Sequence, residues 1–460
     1  MMTLQQAQQW ISGSQLQGAG DTPLAAVSTD SRSLPEGALF VALKGERFDA
    51  HDFLADPVLQ QRVGAVIAER LPAGFSKPAL LVPNTLHALG ALATGWRSQF
   101  TLPVIAVTGS NGKTTVKEMI AAILAAHVGA ADADEKRLAT QGNFNNEIGV
   151  PLTLLRMNAQ HRAAVIELGM NHIGEITTLA GFAQATVALV NNAQREHQEF
   201  MQSVEAVAHE NGCVISALGP EGVAVFPADE TYTAIWRALA GTRRVMDFAL
   251  HSTAAVTGYY KAAPNGVQLK LFTPQGDIEC LLQAHGEHNV RNALAATACA
   301  LAADVPLAAI RAGLSAFQPA KGRLQIKHTG TGITLIDDTY NANPDSVRAA
   351  IDVLANVPVP RLLVLGDMGE VGDQGPQFHR EIGAYARSKG IDILLGTGPL
   401  MRDAVAACGS SARHFDDMAD LIANVQLQLQ PGMTVLVKGS RFMRMEQVVN
   451  VLVEEHKETH

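Results

Sequence analysis

Residues 103–115, PVIAVTGSNGKTT, decide the fold. Val104 to Val107 form a short apolar run behind a proline, fit for a fully buried strand, and the run passes through a glycine-bearing turn into a helical stretch from Lys113 to about Ala126. Strand, turn and helix in that order open an α/β unit in which bare loop amides and a helix N-terminus face an anion. Lys113 is placed to reach the β/γ-phosphates of a nucleotide as a point charge, and the Thr114 hydroxyl to ligate Mg2+. The loop is short for its kind, because Val107 stands where the first glycine of a standard phosphate loop belongs, leaving GxxGKTT. Gly109, Ser110, Asn111, Gly112, Lys113, Thr114 and Thr115 are the expected nucleotide contacts.

Outward from this loop the same rhythm recurs. Ala163 to Ile166 and Val187 to Val190 are further buried-strand runs that end in polar residues, as in a parallel sheet whose site lies at the strands' carboxyl ends. Glu167 follows the first of them. A carboxylate at a strand end is commonly only solvated, but beside a phosphate loop it supplies an oxygen for Mg2+. On the N-terminal side, strands at Ala38 to Leu43, Gly64 to Ala68 and Ala79 to Val82 alternate with helical segments in a small mixed unit. On the C-terminal side, the 318–323 segment QPAKGR breaks the helical pattern before strands at Thr334, Leu362, Ile393 and Thr434, which predicts a doubly wound, Rossmann-like unit with no second GK[ST]. The expected architecture is therefore α/β in three domains, 1–101, 102–318 and 319–460, the middle one P-loop ATPase-like, and 460 residues suit that number.

Composition narrows the function. A net charge of -9, with no lysine- or arginine-rich block, leaves no electrostatic footprint for nucleic acid. Cys213, Cys280, Cys299 and Cys408 are isolated, which argues against a zinc site or disulfide framework and fits a reducing cytosol. The start MMTLQQAQQWISG lacks the pattern of an export signal, and the alanine-rich stretch from Ala293 to Ile310 is broken by Asp304 and Pro306, so no membrane span is expected. A cytoplasmic monomer is the expectation.

The segment VTGSNGKTT resembles the ATP loop of the Mur ligases and the related folylpolyglutamate synthases, which make amide bonds through acyl phosphates. The resemblance continues through QGNFNNEIGVPLTLL (141–155), AVIELGMNHIGEI (164–176), GEHNVRNALAA (286–296), DDTYNANPDS (337–346) and VLGDMGE (364–370), in order and spacing, and points to the branch that adds D-alanyl-D-alanine to a UDP-N-acetylmuramoyl-tripeptide. TDSR (29–32) and GALFVALKGERFDAHDF (37–53) resemble that branch's UDP-binding domain, which implies substrate contacts from Ser31, Arg32 and Lys44. The same likeness implies that Thr140, Asn143 and Asn145 lie near the muramoyl peptide, that Asn289 and Asn292 contact ATP, and that Glu167 binds Mg2+. His197, by itself a loop histidine, becomes by resemblance a ligand of a second Mg2+, following the strand-end pair Asn191-Asn192. Arg323 and Asp338 are expected at the nucleotide, and Tyr340 and Asn343 at the substrate. Asp337, Lys321, Asn341 and Lys438 belong to the same cleft.

One departure stands out. Fourteen residues after that histidine the family commonly carries a lysine that becomes carbamylated, and this chain has Asn211. Either His197 and the substrate's own acyl phosphate then hold the second metal with waters, or a neighbour such as Glu210 or Glu199 supplies the missing oxygen. A folylpolyglutamate synthase would lack the N-terminal domain, and a regulatory GTPase would need an NKxD segment, which is absent.

Overall fold

The computed structural model describes residues 1–329 and 332–454. Its centre is a six-stranded, all-parallel sheet in the order Arg244–Val245, Val223–Val225, Val187–Val190, Val104–Thr108, Ala163–Glu167, Arg137–Ala139. All five residues of Val104–Thr108 and of Ala163–Glu167 are buried, as strands covered on both faces must be. The chain reverses winding direction on either side of Val104–Thr108, a switch point that opens a crevice at the strands' carboxyl ends.

The helix Lys113–Val128 leaves this crevice and packs against Glu287–Ala302 and Leu307–Ala316. Glu287–Ala302 is rich in alanine because it is enclosed nearly all round, with every residue from Asn292 to Ala302 buried. Gly313 permits the close approach of the last helix: a Cβ there would lie 2.3 Å from the Ile123 Cα. Sequence reading overlooked one unit of the central region, the antiparallel sheet Thr257–Ala263, Gly266–Thr273, Gly276–Leu282.

Ahead of this region lies a five-stranded sheet ordered Gln15–Gln17, Ala79–Leu81, Val63–Ala68, Ala38–Val41, Val27–Ser28, parallel except for its first pair. Beyond it a second six-stranded sheet runs Gln325–His328, Thr334–Asp338, Thr434–Lys438, Arg361–Gly366, Ile393–Thr397, Ala412–Phe415. Only its Gln325–His328 edge is antiparallel, and separate apolar cores cover its two faces, the doubly wound arrangement expected. Among the described residues no helix is long and apolar enough to cross a membrane.

Candidate active site

The phosphate loop is held open by its neighbours. Gly112 adopts φ +79°, and a Cβ on it would lie 2.5 Å from Asn292 Oδ1 and 2.9 Å from Asn191 Nδ2, so both its conformation and its surroundings require glycine. Asn191 Nδ2 and Asn192 Nδ2 donate to the Asn111 carbonyl at 2.8 and 2.9 Å, while Asn192 Oδ1 accepts from the Asn111 amide at 2.8 Å. Asn191 also donates to Asn292 Oδ1, and Asn292 to Asn289 Oδ1, so the asparagines expected at the nucleotide form one chain that ties the loop to the buried alanine-rich helix.

Two side chains at the head of the loop helix carry the chemistry. Lys113 Nζ donates to the carbonyls of Gly109 and Ser110 and to Glu196 Oε1 at 2.8 Å. The Thr114 hydroxyl donates to Glu167 Oε1 at 3.2 Å and accepts from Arg323 Nη2 at 2.9 Å. Glu167 is buried at its strand end, where Oε1 also accepts from Asn145 Nδ2 at 2.9 Å and Oε2 has no partner.

The residues after Val187–Val190 cross to the third domain. Arg195 grips Asp345 with two nitrogens, at 2.7 Å in the shorter contact, and reaches Glu381 at 2.9 Å. His197, at φ +49°, lies with Nδ1 2.5 Å from Glu370 Oε2 and Nε2 3.4 Å from Glu196 Oε1. Burial alone would push this imidazole down, but the two carboxylates outweigh it and hold it up at about 9. For Glu196 burial acts upward, and the charges of Lys113 and His197 leave it below the ordinary carboxylate range.

From the third domain, Arg323 stacks over Tyr340 with 4.1 Å to the ring centroid, and Lys438 Nζ meets Asp338 Oδ2 at 2.6 Å. Burial pushes the Asp338 carboxyl up despite Lys438. Asn343 Nδ2 donates to Asn111 Oδ1 at 2.8 Å, directly across the domain boundary. Asp337, fully buried, accepts from Lys327 and Thr339 and so is an internal anchor.

Apart from Arg195, Glu381 and Asp337, most of these groups line one cavity of about 1200 Å³ between the central and third domains. Of the residues expected from sequence, it brings together Ser110, Asn111, Gly112, Lys113, Thr114, Thr115, Asn143, Asn145, Glu167, His197, Asn289, Asn292, Arg323, Asp338, Tyr340 and Asn343. Gly109 is not among the lining residues, and Thr140 is buried with its hydroxyl accepting from the Glu167 amide. Ser31, Arg32 and Lys44 are outside the lining, with Arg32 exposed and paired to Asp30.

Asn211 is buried outside the cavity lining. Its Oδ1 accepts from the Thr108 hydroxyl at 2.9 Å and the Gly109 amide at 3.0 Å, so it props the start of the phosphate loop. Glu210 is engaged at the Ile176 amide at 2.8 Å and Glu199 is exposed outside the lining, so neither is the free oxygen expected near His197. Glu196 and Arg195 were missed by sequence reading.

The donors fit Mg2+. Glu167 Oε2 and Glu196 Oε2 are buried carboxylate oxygens without hydrogen-bond partners, and the Thr114 hydroxyl adjoins the first of these residues. Among the described residues no three His, Cys, Asp or Glu side chains form a ready cation cage. Mg2+ needs none, since it takes one or two protein carboxylates with phosphate oxygens and waters.

Comparison with known proteins places this geometry in context. Residues 107–300 match the Mur ligase middle domain and residues 322–441 the Mur ligase, glutamate ligase domain. The chain is 42% identical, over 98% of both chains, to the UDP-N-acetylmuramoyl-tripeptide--D-alanyl-D-alanine ligase of Escherichia coli (strain K12). The corresponding ligase of Bacillus subtilis (strain 168) is 34% identical over 94% of both. A crystal structure of MurF from Acinetobacter baumannii superposes with a TM-score of 0.90 at 36% identity, covering 98% of each chain.

Proposed function

The chain belongs to the Mur ligase family, and from that premise we infer that it joins D-alanyl-D-alanine to UDP-N-acetylmuramoyl-tripeptide. This is the ATP-dependent amide ligation of bacterial peptidoglycan precursor synthesis (EC 6.3.2.10). The observation that carries the reading is the full-length identity of 42% to a ligase of that name. The cavity supports it, because a phosphate loop faces a basic and amide-rich wall from a second domain, as a three-substrate reaction requires.

In this reading the terminal carboxylate of the tripeptide attacks the γ-phosphorus of ATP, ADP leaves, and an acyl phosphate results. The free amine of D-alanyl-D-alanine then attacks the acyl carbon, loses its proton, and phosphate departs from the tetrahedral intermediate. Lys113 opposes charge on the phosphoryl oxygens once it exchanges its present partners for them. Arg323 and Lys438 bring further positive charge from the opposite wall. Asn143 and Asn145, whose amides both donate and accept, suit the muramoyl peptide. Mg2+, held by Thr114 and Glu167, supplies further charge neutralisation when bound. The division 1–101, 102–318 and 319–460, with the first part taking the UDP end through Ser31, Arg32 and Lys44, completes the proposal, as does a cytoplasmic monomer.

The test is phosphate release with ATP, Mg2+ and UDP-muramoyl-tripeptide, with and without D-alanyl-D-alanine. Sustained turnover should require both the tripeptide and the dipeptide. Equal ATP hydrolysis without the tripeptide would refute the reading.

A further inference from the structure

The two oxygens of Glu196 have different fates. Oε1 is bound to Lys113 at 2.8 Å, whereas Oε2 is buried without a partner, and the residue lines the cavity beside His197. An unpartnered buried carboxylate oxygen is costly to keep, and folded proteins retain few of them. Glu167, buried at the other side of the loop helix, presents a second such oxygen to the same cavity.

Nucleotide binding sharpens the conflict. Lys113 is the cation that any phosphate on this loop must claim, and it now neutralises Glu196. When phosphate oxygens take Lys113, Glu196 is left beside another anion with only His197, 3.4 Å away and shared with Glu370, as counter-charge, an arrangement that a cation between the two anions would relieve. His197 adjoins Glu196 in sequence and in space; of the other nearby groups, Glu370 meets His197 Nδ1 at the half-exposed edge of the cavity, Glu210 accepts from the Ile176 amide, and Asn211 Oδ1 accepts from Thr108 and Gly109.

We propose that Glu196 is an oxygen ligand for a divalent cation at the phosphoryl end of the site, acting with His197, and that in the ligand-free protein Lys113 holds this carboxylate in reserve. The proposal rests on the family reading for the presence of a nucleotide on the loop and for His197 as a metal ligand. It explains how a chain with a neutral Asn211, its Oδ1 bound to Thr108 and Gly109, provides anionic charge there.

The test uses the full chain, Mn2+ as probe and a non-hydrolysable ATP analogue, with bound Mn2+ counted by electron paramagnetic resonance. Wild type should bind one more Mn2+ per chain than Glu196→Gln, or bind it at least tenfold more tightly. Analogue affinity in metal-free buffer should be equal or higher in the variant, because Lys113 is released. Unchanged Mn2+ number and affinity in Glu196→Gln, with stronger metal-free nucleotide binding, would show that Glu196 serves only as the Lys113 counter-ion and would overturn the proposal. Should Glu196→Gln fail to fold by circular dichroism, Glu196→Asp keeps a carboxylate for Lys113, and weakened Mn2+ binding is expected of it; unaltered binding would overturn the proposal equally. The titration needs no tripeptide, so its failure is distinct from failure of the ligase assay.

Discussion

Arg323 of the third domain donates a 2.9 Å hydrogen bond to the hydroxyl of Thr114 at the head of the phosphate-loop helix. The oxygen best placed for a cation is thus already held by a cationic side chain from another domain. Arg323→Ala should lower kcat at least about tenfold in the phosphate-release assay while leaving Tm nearly unchanged, because the charge acts on developing phosphoryl charge. Arg323→Lys should fall between, since an ammonium lacks the planar fork and the stacking on Tyr340. Wild-type kcat in the alanine variant would contradict this.

Lys113→Ala is expected to cut kcat about a hundredfold or more. The structure adds a cost to stability, for the variant leaves the largely buried Glu196 with only His197 as counter-charge, a loss of about 1–3 kcal/mol. Lys113→Ala with Glu196→Gln should recover the Tm but not the activity. Recovery of neither would mean that Lys113 stabilises the loop by other contacts.

Arg195 is the widest charge contact between the central and third domains, meeting Asp345 and Glu381 at once. Arg195→Ala should let the ligand-free protein open, seen as a larger radius of gyration in small-angle scattering and faster proteolysis between residues 317 and 325. An unchanged scattering profile would assign closure to the Asn111–Asn343 and Arg323–Thr114 contacts instead.

Burial pushes the His288 imidazole down to about 4, with the Lys438 charge acting in the same direction and Asp352 and Glu287 opposing it. The unfolded chain therefore binds this proton more strongly, so stability is fully present above about pH 6.5 and declines as pH falls from there towards about 4. Urea midpoints measured across that window should fall less steeply for His288→Gln. Equal slopes would show that other groups dominate.

Activity in CO2-depleted buffer should equal that in bicarbonate, because Asn211 has no amine to carbamylate and is bound to the phosphate loop. A loss on degassing, restored by bicarbonate, would require a lysine elsewhere, such as Lys321, in that role.

What was legible in the sequence was what is local. The loop with its lysine and threonine declares itself by adjacency, because a buried strand, a turn and a helix are contiguous in the chain; Glu167, a strand-end carboxylate that alone reads as solvated, gains meaning only from that loop and from the family resemblance. Glu196 and Arg195 do not, since their partners Lys113 and Asp345 are brought to them only by packing, and a charged loop residue is ordinarily solvated. The antiparallel sheet over 257–282 left a signal that was passed over: Pro264-Asn265 and Pro274-Gln275, each followed by a glycine that opens the next strand, sit between alternating runs and form its two turns. The third-domain carboxylates read alike as Asp337-Asp338, yet one is an internal anchor and the other faces Lys438, a division that depends on strand pleat.

Gly112 bears on how this protein could evade an inhibitor. A compound that contacts the loop through its backbone amides meets atoms that no codon alters. Replacing the glycine itself would force a side chain into Asn292 and Asn191 at a backbone angle that other residues avoid. Resistance would have to arise at the rim, where Phe442, at 64% exposure, and Ile173, at 67%, can vary with little cost to folding. Compounds anchored on the loop and sparing of the rim leave the fewest routes of escape.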